Sequence, residues 1–313
     1  MADRVFVFPG QGSQAVGMGR DLAEASSVAR LVFEEVDDAL SQSLSRLMFD
    51  GPGEDLTLTE NAQPALMAVS LAVLRTLEDA GLTLADRARF VAGHSLGEYS
   101  ALCAAGAFSL PDAARLLKAR GRAMQAAVPV GEGAMAALLG ATLEQAEEAV
   151  AGAAQDEVCA IANDNATGQV VISGHAGAID RAIAAAQEMG VRRAMKLQVS
   201  APFHCSLMQP AADVMAEELE RAPPGMPAVP LIANVTAQAV SDGPTIGDLL
   251  VQQVTGLVRW RESMLFARDE GCSELVELGA GKVLATMARR IDPELTGTAV
   301  NTPDDIDNLL AAA

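Results

Sequence analysis

Short apolar runs alternate along this chain with long Ala- and Leu-rich helical stretches, and few architectures accept that pattern. VFVF (5–8), RFVAG (89–93), LIANV (231–235), ELVELG (274–279) and the weaker TAV (298–300) read as buried strands. Between them lie stretches such as PALMAVSLAVLRTLEDAG (64–81) and PDAARLLKARGRAMQ (111–125), long enough for crossover helices. Short strands separated by such helices predict an α/β body with a mostly parallel sheet.

One block departs from that rhythm. GAMAALLG (133–140) reads as a strand, ATLEQAEEAVAGAAQ (141–155) as a helix, and VCAIANDN (158–165) and QVVISG (169–174) as two strands. A second helix, HAGAIDRAIAAAQEMG (175–190), and a last strand, AMKLQVS (194–200), complete the order β-α-β-β-α-β. That is the split pattern of a ferredoxin-like unit. A subdomain at 127–198 is therefore expected, inserted into a body made of 1–126 and 199–313.

Half of the 313 residues are hydrophobic and only 3% aromatic, so the core must be built mainly from Ala, Leu, Val, Ile and Met. A folded chain of this size buries roughly 75% of its unfolded surface and needs neither disulfide nor metal to hold it. The cysteines, Cys103, Cys159, Cys205 and Cys272, are scattered, with no CxxC pair and no zinc-like Cys/His spacing. A reducing compartment, the cytoplasm, is expected, and no metal site. There the sequons at Asn165-Ala166-Thr167 and Asn234-Val235-Thr236 carry no meaning. The start, MADRVFVFPG, has no long apolar h-region, and no window approaches a membrane span, so no membrane association is expected. A formal charge of −19 argues against nucleic acid, whose phosphates reward a basic face. It also disfavours an acidic protein partner unless basic residues gather locally.

The chemistry centres on Val91-Ala92-Gly93-His94-Ser95-Leu96-Gly97-Glu98, a Gly-x-Ser-x-Gly between an expected strand and an expected helix. A strand turning sharply into a helix holds one residue in strain at the tip, and glycines on either side remove side chains that would collide. Ser95 is then exposed at the carboxyl end of the sheet, beside the positive end of a helix. A serine nucleophile needs a base, and the chain has three histidines: His94, His175 and His204. His94 adjoins the serine and should point away from its hydroxyl. His175, in SGHAG, opens a helix. His204, in VSAPFH, follows the nucleophile in the order of α/β hydrolases and remains by elimination, with a purely structural histidine the rival reading. No single Asp or Glu stands out as its orienter, and a backbone carbonyl can accept the imidazole Nδ1–H instead.

The opening RVFVFPGQGSQ (4–14) also fits the loose form of a dinucleotide fingerprint, Gly10-x-Gly12-x-x-Ala15. Ribose recognition requires a strand ending in Asp or Glu about 20 residues on. The acids there, Glu34 and Glu35, lie in a helical pattern. GAGK (279–282) lacks the earlier glycine of a phosphate loop, and Val283 follows its lysine.

GHSLGE, FPGQGSQ and APFH beside an inserted ferredoxin-like unit together resemble the malonyl-CoA:acyl carrier protein transacylases of bacterial fatty-acid synthesis. LLKARGRAMQ, NDNATGQVVISG, LLVQQVTGLVRW and ELGAGKVL extend the likeness from end to end. The resemblance implies an α/β-hydrolase-like body and transfer of a malonyl group from malonyl-CoA to the phosphopantetheine thiol of holo acyl carrier protein. It makes Ser95 the nucleophile and His204 the base. Gln11 and Leu96 would supply the oxyanion-hole amides, Arg120 would grip the malonyl carboxylate, and Gln253 would orient His204 through its carbonyl. The FPGQGSQ loop would then serve an oxyanion rather than a phosphate. No cofactor beyond the CoA and phosphopantetheine substrates is implied, and a monomer is expected. Alternatives are a serine esterase or thioesterase, and an acyltransferase serving a polyketide synthase. Candidate docking cations are Arg192, Arg193 and Lys196, with Arg289 and Arg290.

Overall fold

The computed structural model describes residues 3–312. Its strands are β1 (Arg4–Phe8), β2 (Ala88–Gly93), β3 (Gly133–Leu139), β4 (Cys159–Ala166), β5 (Gln169–His175), β6 (Arg193–Lys196), β7 (Leu231–Ile232), β8 (Ala239–Val240), β9 (Glu274–Leu278) and β10 (Thr296–Val300). Among the described residues they form two sheets. The larger runs β10-β9-β1-β2-β7-β8 and is parallel apart from β8 at one edge. The smaller, β4-β5-β3-β6, is antiparallel and has the strand order of a split βαβ unit.

Alternation along β1 explains its central place. Phe6 and Phe8 face one apolar cluster with Leu66, Val69 and Val73, while Val5 and Val7 face another with Trp260, Met264 and Leu284. Fully burying a side chain of this kind contributes about 1.5–3 kcal/mol, so a strand with no polar face belongs inside a covered sheet. The helix Thr59–Asp79 lies on the phenylalanine side and is buried over most of its length.

Three local features differ from the sequence expectation. LIANV yields only Leu231–Ile232, because Asn234 leaves the strand and commits its polar groups to the turn after β2. AMKLQVS ends as a strand at Lys196, with one further bond from Leu197 N–H to Met135 O (2.9 Å), and Leu197–Val199 line a cavity instead. The two-residue β8 is too short to leave a periodic signal.

The register then positions the chemistry. β1 and β2 are parallel neighbours with Phe8 opposite Gly93, so the loops that follow them emerge side by side. The smaller sheet is pinned to this end of the body. Asp164 N–H donates to Val258 O (3.0 Å), Val258 N–H to Ala162 O (2.9 Å), and Arg261 pairs with Asp164 (2.8 Å).

Candidate active site

The turn after β2 is tight enough to dictate its residues. A Cβ on Gly93 would lie 1.9 Å from the Gly97 carbonyl, and one on Gly97 would lie 2.2 Å from Phe8 O. Ser95 at the tip has φ 55°, the left-handed region costly for a residue with a Cβ. Asn234 braces the turn: Ser95 N–H donates to its Oδ1 (2.9 Å), and its Nδ2 donates to Gly93 O (2.7 Å).

His204 reaches Ser95 across 109 residues of sequence, with Nε2 2.7 Å from Oγ. It too is left-handed, at φ 58°. Its Nδ1–H donates to Gln253 O (2.9 Å), shared with Gly256 O (3.2 Å), which leaves Nε2 free to accept the serine proton. Burial, then the charge of Arg120, lowers its pKa to about 3, so the imidazole is neutral at pH 7. A neutral imidazole is the form that can take a proton.

Arg120 is 1% exposed and lines the same cavity, of about 360 Å³. Its Nη1 donates to Gln63 Oε1 (2.8 Å), and its Nη2 donates to Gln253 Oε1 (2.8 Å) and Ser95 Oγ (3.1 Å). All three acceptors are neutral, and its Nε has no partner among the described residues. Burial lowers its pKa, because removing a guanidinium from water penalises the charge. A sequence signal for Arg120 exists in helical geometry. On the helix Leu110–Ala126, steps of about 100° place Arg115, Lys118 and Arg122 on one side and Arg120 roughly opposite. The first three pair with Asp112 or Glu60, Lys118 from a buried position, and Arg120 is the one of the four with no carboxylate partner among the described residues.

Gln11 and Leu96 both line the cavity. Neither backbone amide has a hydrogen-bond acceptor among the described residues. The Gln11 loop comes close because Gly10 lacks a side chain: a Cβ there would sit 2.8 Å from His94 O. The other two histidines take structural places. His94 Nε2 bonds to Asn165 Oδ1 (2.8 Å) and its ring lies 5.7 Å from that of Trp260, while His175 Nδ1 accepts from Val158 N–H (2.8 Å).

All six site residues expected from the sequence thus converge on one end of the larger sheet. The family model of the acyl transferase domain matches residues 5–290. The chain belongs to the acyl transferase family. This acyltransferase is 43% identical over 303 residues to the malonyl CoA-acyl carrier protein transacylase of Escherichia coli (strain K12), with 97% of each chain covered. It matches the crystal structure of an acyl-carrier-protein-S-malonyltransferase from Bartonella henselae with TM-score 0.97 and 54% identity, covering 100% of this chain and 99% of that one. A malonyl-transacylase solved in complex with a type II PKS acyl-carrier protein is also similar, at TM-score 0.96 and 40% identity over the whole of both chains.

Sequence reasoning missed the side chains that hold these groups in place. Gln63 precedes a stretch read only as helix, and Asn234 was hidden inside an expected strand. Gln253 does more than present a carbonyl: its Nε2 donates to Ser95 O (2.8 Å) and to Glu98 Oε2, while its Oε1 receives Arg120. Among the described residues of this acyltransferase, no cluster of His, Cys, Asp and Glu could hold a metal ion, and no helix is long and apolar enough to cross a membrane.

Proposed function

We propose that this acyltransferase moves a malonyl group from malonyl-CoA to the phosphopantetheine thiol of acyl carrier protein through a malonyl ester on Ser95. The observation that carries this reading is the buried Arg120, 3.1 Å from the serine hydroxyl with only neutral acceptors. A malonyl carboxylate lies one methylene from the reacting carbonyl, so a cation beside the nucleophile can hold it. A guanidinium meets a carboxylate with two parallel hydrogen bonds and so fixes orientation as well as charge.

His204 Nε2 takes the Ser95 proton as Oγ attacks the thioester carbon. The oxyanion forms against the Gln11 and Leu96 amides, each such donor being worth roughly 10²–10³ in rate. The tetrahedral intermediate collapses, the C–S bond breaks, and His204 returns the proton to the CoA sulfur. In the second half-reaction His204 accepts the carrier thiol's proton, the thiolate attacks the ester, and Ser95 Oγ leaves and is reprotonated. On this reading the base, the oxyanion donors and the anchoring cation are the chain's own groups, acting in a cytoplasmic monomer with no added cofactor. We read 127–198 as a subdomain that closes the cavity, since Met135, Asn163, Leu197 and Gln198 contribute to its lining.

Carrier docking needs a local answer to the charge of −19. Arg192, Arg193, Arg289 and Arg290 are all exposed, and the fold draws the two pairs together. Leu139 pairs with Gln169 on one side and with Arg193 on the other, and Arg290 donates to the Gln169 side chain (3.1 Å). Two strand spacings, about 10 Å, therefore separate the backbone of Arg193 from that of Gln169, whose side chain Arg290 holds. Lys196 is already paired with Asp180 (2.7 Å). Charge reversal at Arg192 and Arg193 should raise KM for the carrier roughly fivefold or more at low salt, with less effect as salt is added, and leave KM for malonyl-CoA unchanged. Unchanged kinetics would retire this surface.

The similarity to a transacylase bound to a type II PKS carrier supports a second reading, in which the carrier belongs to polyketide rather than fatty-acid synthesis. A serine hydrolase would use the same dyad but pass its acyl group to water. Intact-mass analysis after brief exposure to malonyl-CoA separates these chemistries. One malonyl adduct should persist in buffer and clear when holo carrier is added, whereas rapid loss to water would indicate a hydrolase.

A further inference from the structure

Glu98 belongs to the GHSLGE run, yet the mechanism above gives it no part. It is 1% exposed, and both of its oxygens accept: Oε1 from Asn234 N–H (3.1 Å) and Oε2 from Gln253 Nε2. Among the described residues no cation bonds to it directly. Burial raises its pKa to about 7, and the hydrogen bonds from Gln253 and Asn234 oppose that shift by favouring the carboxylate, the form in which both oxygens accept.

The use lies in the Gln253 amide. A side-chain amide has a donor end and an acceptor end, and its partners decide which way it faces. Here the donor end meets Ser95 O, Glu98 Oε2 and, at 3.5 Å, Asn234 Oδ1, of which only Glu98 is ionisable, and this leaves Oε1 toward the Arg120 guanidinium. Reversed, the amide would set an NH₂ group against another donor, and Arg120 would have to move. We propose that Glu98 is a positioning residue for malonyl selectivity: it fixes the Gln253 amide orientation and thereby holds Arg120 where the substrate carboxylate binds. This rests on the reading of Arg120 as the carboxylate anchor.

Glu98→Gln cannot satisfy all partners. Asn234 N–H and Gln253 Nε2 both donate, so an amide at position 98 must turn its own NH₂ toward one of them or force Gln253 to reverse. Glu98 also steadies Asn234, which braces the turn carrying Ser95, and that effect should slow every acyl substrate alike. The ratio of kcat/KM for malonyl-CoA to kcat/KM for acetyl-CoA cancels the common loss and reads Arg120 placement alone.

The experiment measures that ratio for the native chain, Glu98→Gln, Arg120→Ala and the double variant. Glu98→Gln should lower it roughly tenfold to a hundredfold, the range expected when a charge-assisted hydrogen bond is misplaced. In the Arg120→Ala background the same substitution should leave the ratio where Arg120→Ala alone puts it, since Glu98 acts through that guanidinium. Equal loss for both substrates, or a further fall of the ratio in the double variant, would overturn the proposal. If Arg120→Ala itself keeps the malonyl preference, the anchor reading fails rather than the role of Glu98 alone. Should Glu98→Gln not fold, Glu98→Asp carries the same test: it keeps the carboxyl group but withdraws it by one methylene, and the ratio should shift in the same direction.

Discussion

Ser95→Ala will retain the fold, form no malonyl adduct and lose transfer by a factor on the order of 10⁶, the scale seen when a serine nucleophile is removed from an assembled site. Retention of the fold follows from the backbone. The φ of 55° at position 95 is costly because of Cβ, and alanine has the same Cβ, so the strain is unchanged. The supports of the turn are main-chain and Asn234 hydrogen bonds that the substitution does not touch. What disappears is Oγ, the atom 2.7 Å from His204 Nε2 and 3.1 Å from Arg120 Nη2. Circular dichroism and a melting curve check the fold, and intact mass after malonyl-CoA exposure checks the chemistry. An adduct on the Ser95→Ala chain would place the nucleophile elsewhere.

Arg120→Ala should lower kcat/KM for malonyl-CoA by roughly 10²–10³ while much of the acetyl-CoA rate survives. Leaving a buried charge without its partner costs about 3–5 kcal/mol, and here the stranded group is the substrate carboxylate. An acetyl group brings no carboxylate and so loses no ion pair, only the Arg120 contacts to Ser95 Oγ and Gln253. The same variant has a pH signature. Burial is the larger cause of the lowered His204 pKa, and the Arg120 charge is the second. Removing the cation, and admitting water where it lay, both favour the imidazolium and raise that pKa. The neutral base is then lost at a higher pH, so the acid limb of the acetyl-CoA profile should move upward from its native position. Equal loss with both acyl groups, or an unmoved acid limb, would remove Arg120 from the carboxylate site.

Parts of this site were legible in the sequence because local geometry wrote them there. The turn after β2 admits only glycine at positions 93 and 97, and the clashes their Cβ atoms would meet are the reason the motif can be read from letters alone. Strand existence was equally clear where both faces are covered, as in VFVF and ELVEL. Periodicity misses Asn234 and 198–200, where the chain gives up strand pairing beside the site. Propensity has no way to weigh that trade.

His204 shows the boundary most clearly. Order along the chain and elimination among three histidines made it a candidate, but a structural histidine fitted the letters almost as well. Only the folded chain brings Nε2 to Ser95 and Nδ1 to the carbonyl of Gln253.

The sequence by itself determined the layered α/β architecture, the strained serine turn and the split order of the inserted unit, because each depends on contacts between near neighbours or on simple periodicity. The tertiary structure alone decided which histidine lies against Ser95, that the Gln253 side chain bridges Glu98 and the buried Arg120 guanidinium, and that Arg290 reaches the Gln169 side chain. Those facts depend on groups 49 to 158 residues apart meeting within hydrogen-bond distance, and on the register of strands that carry no such address in their own residues.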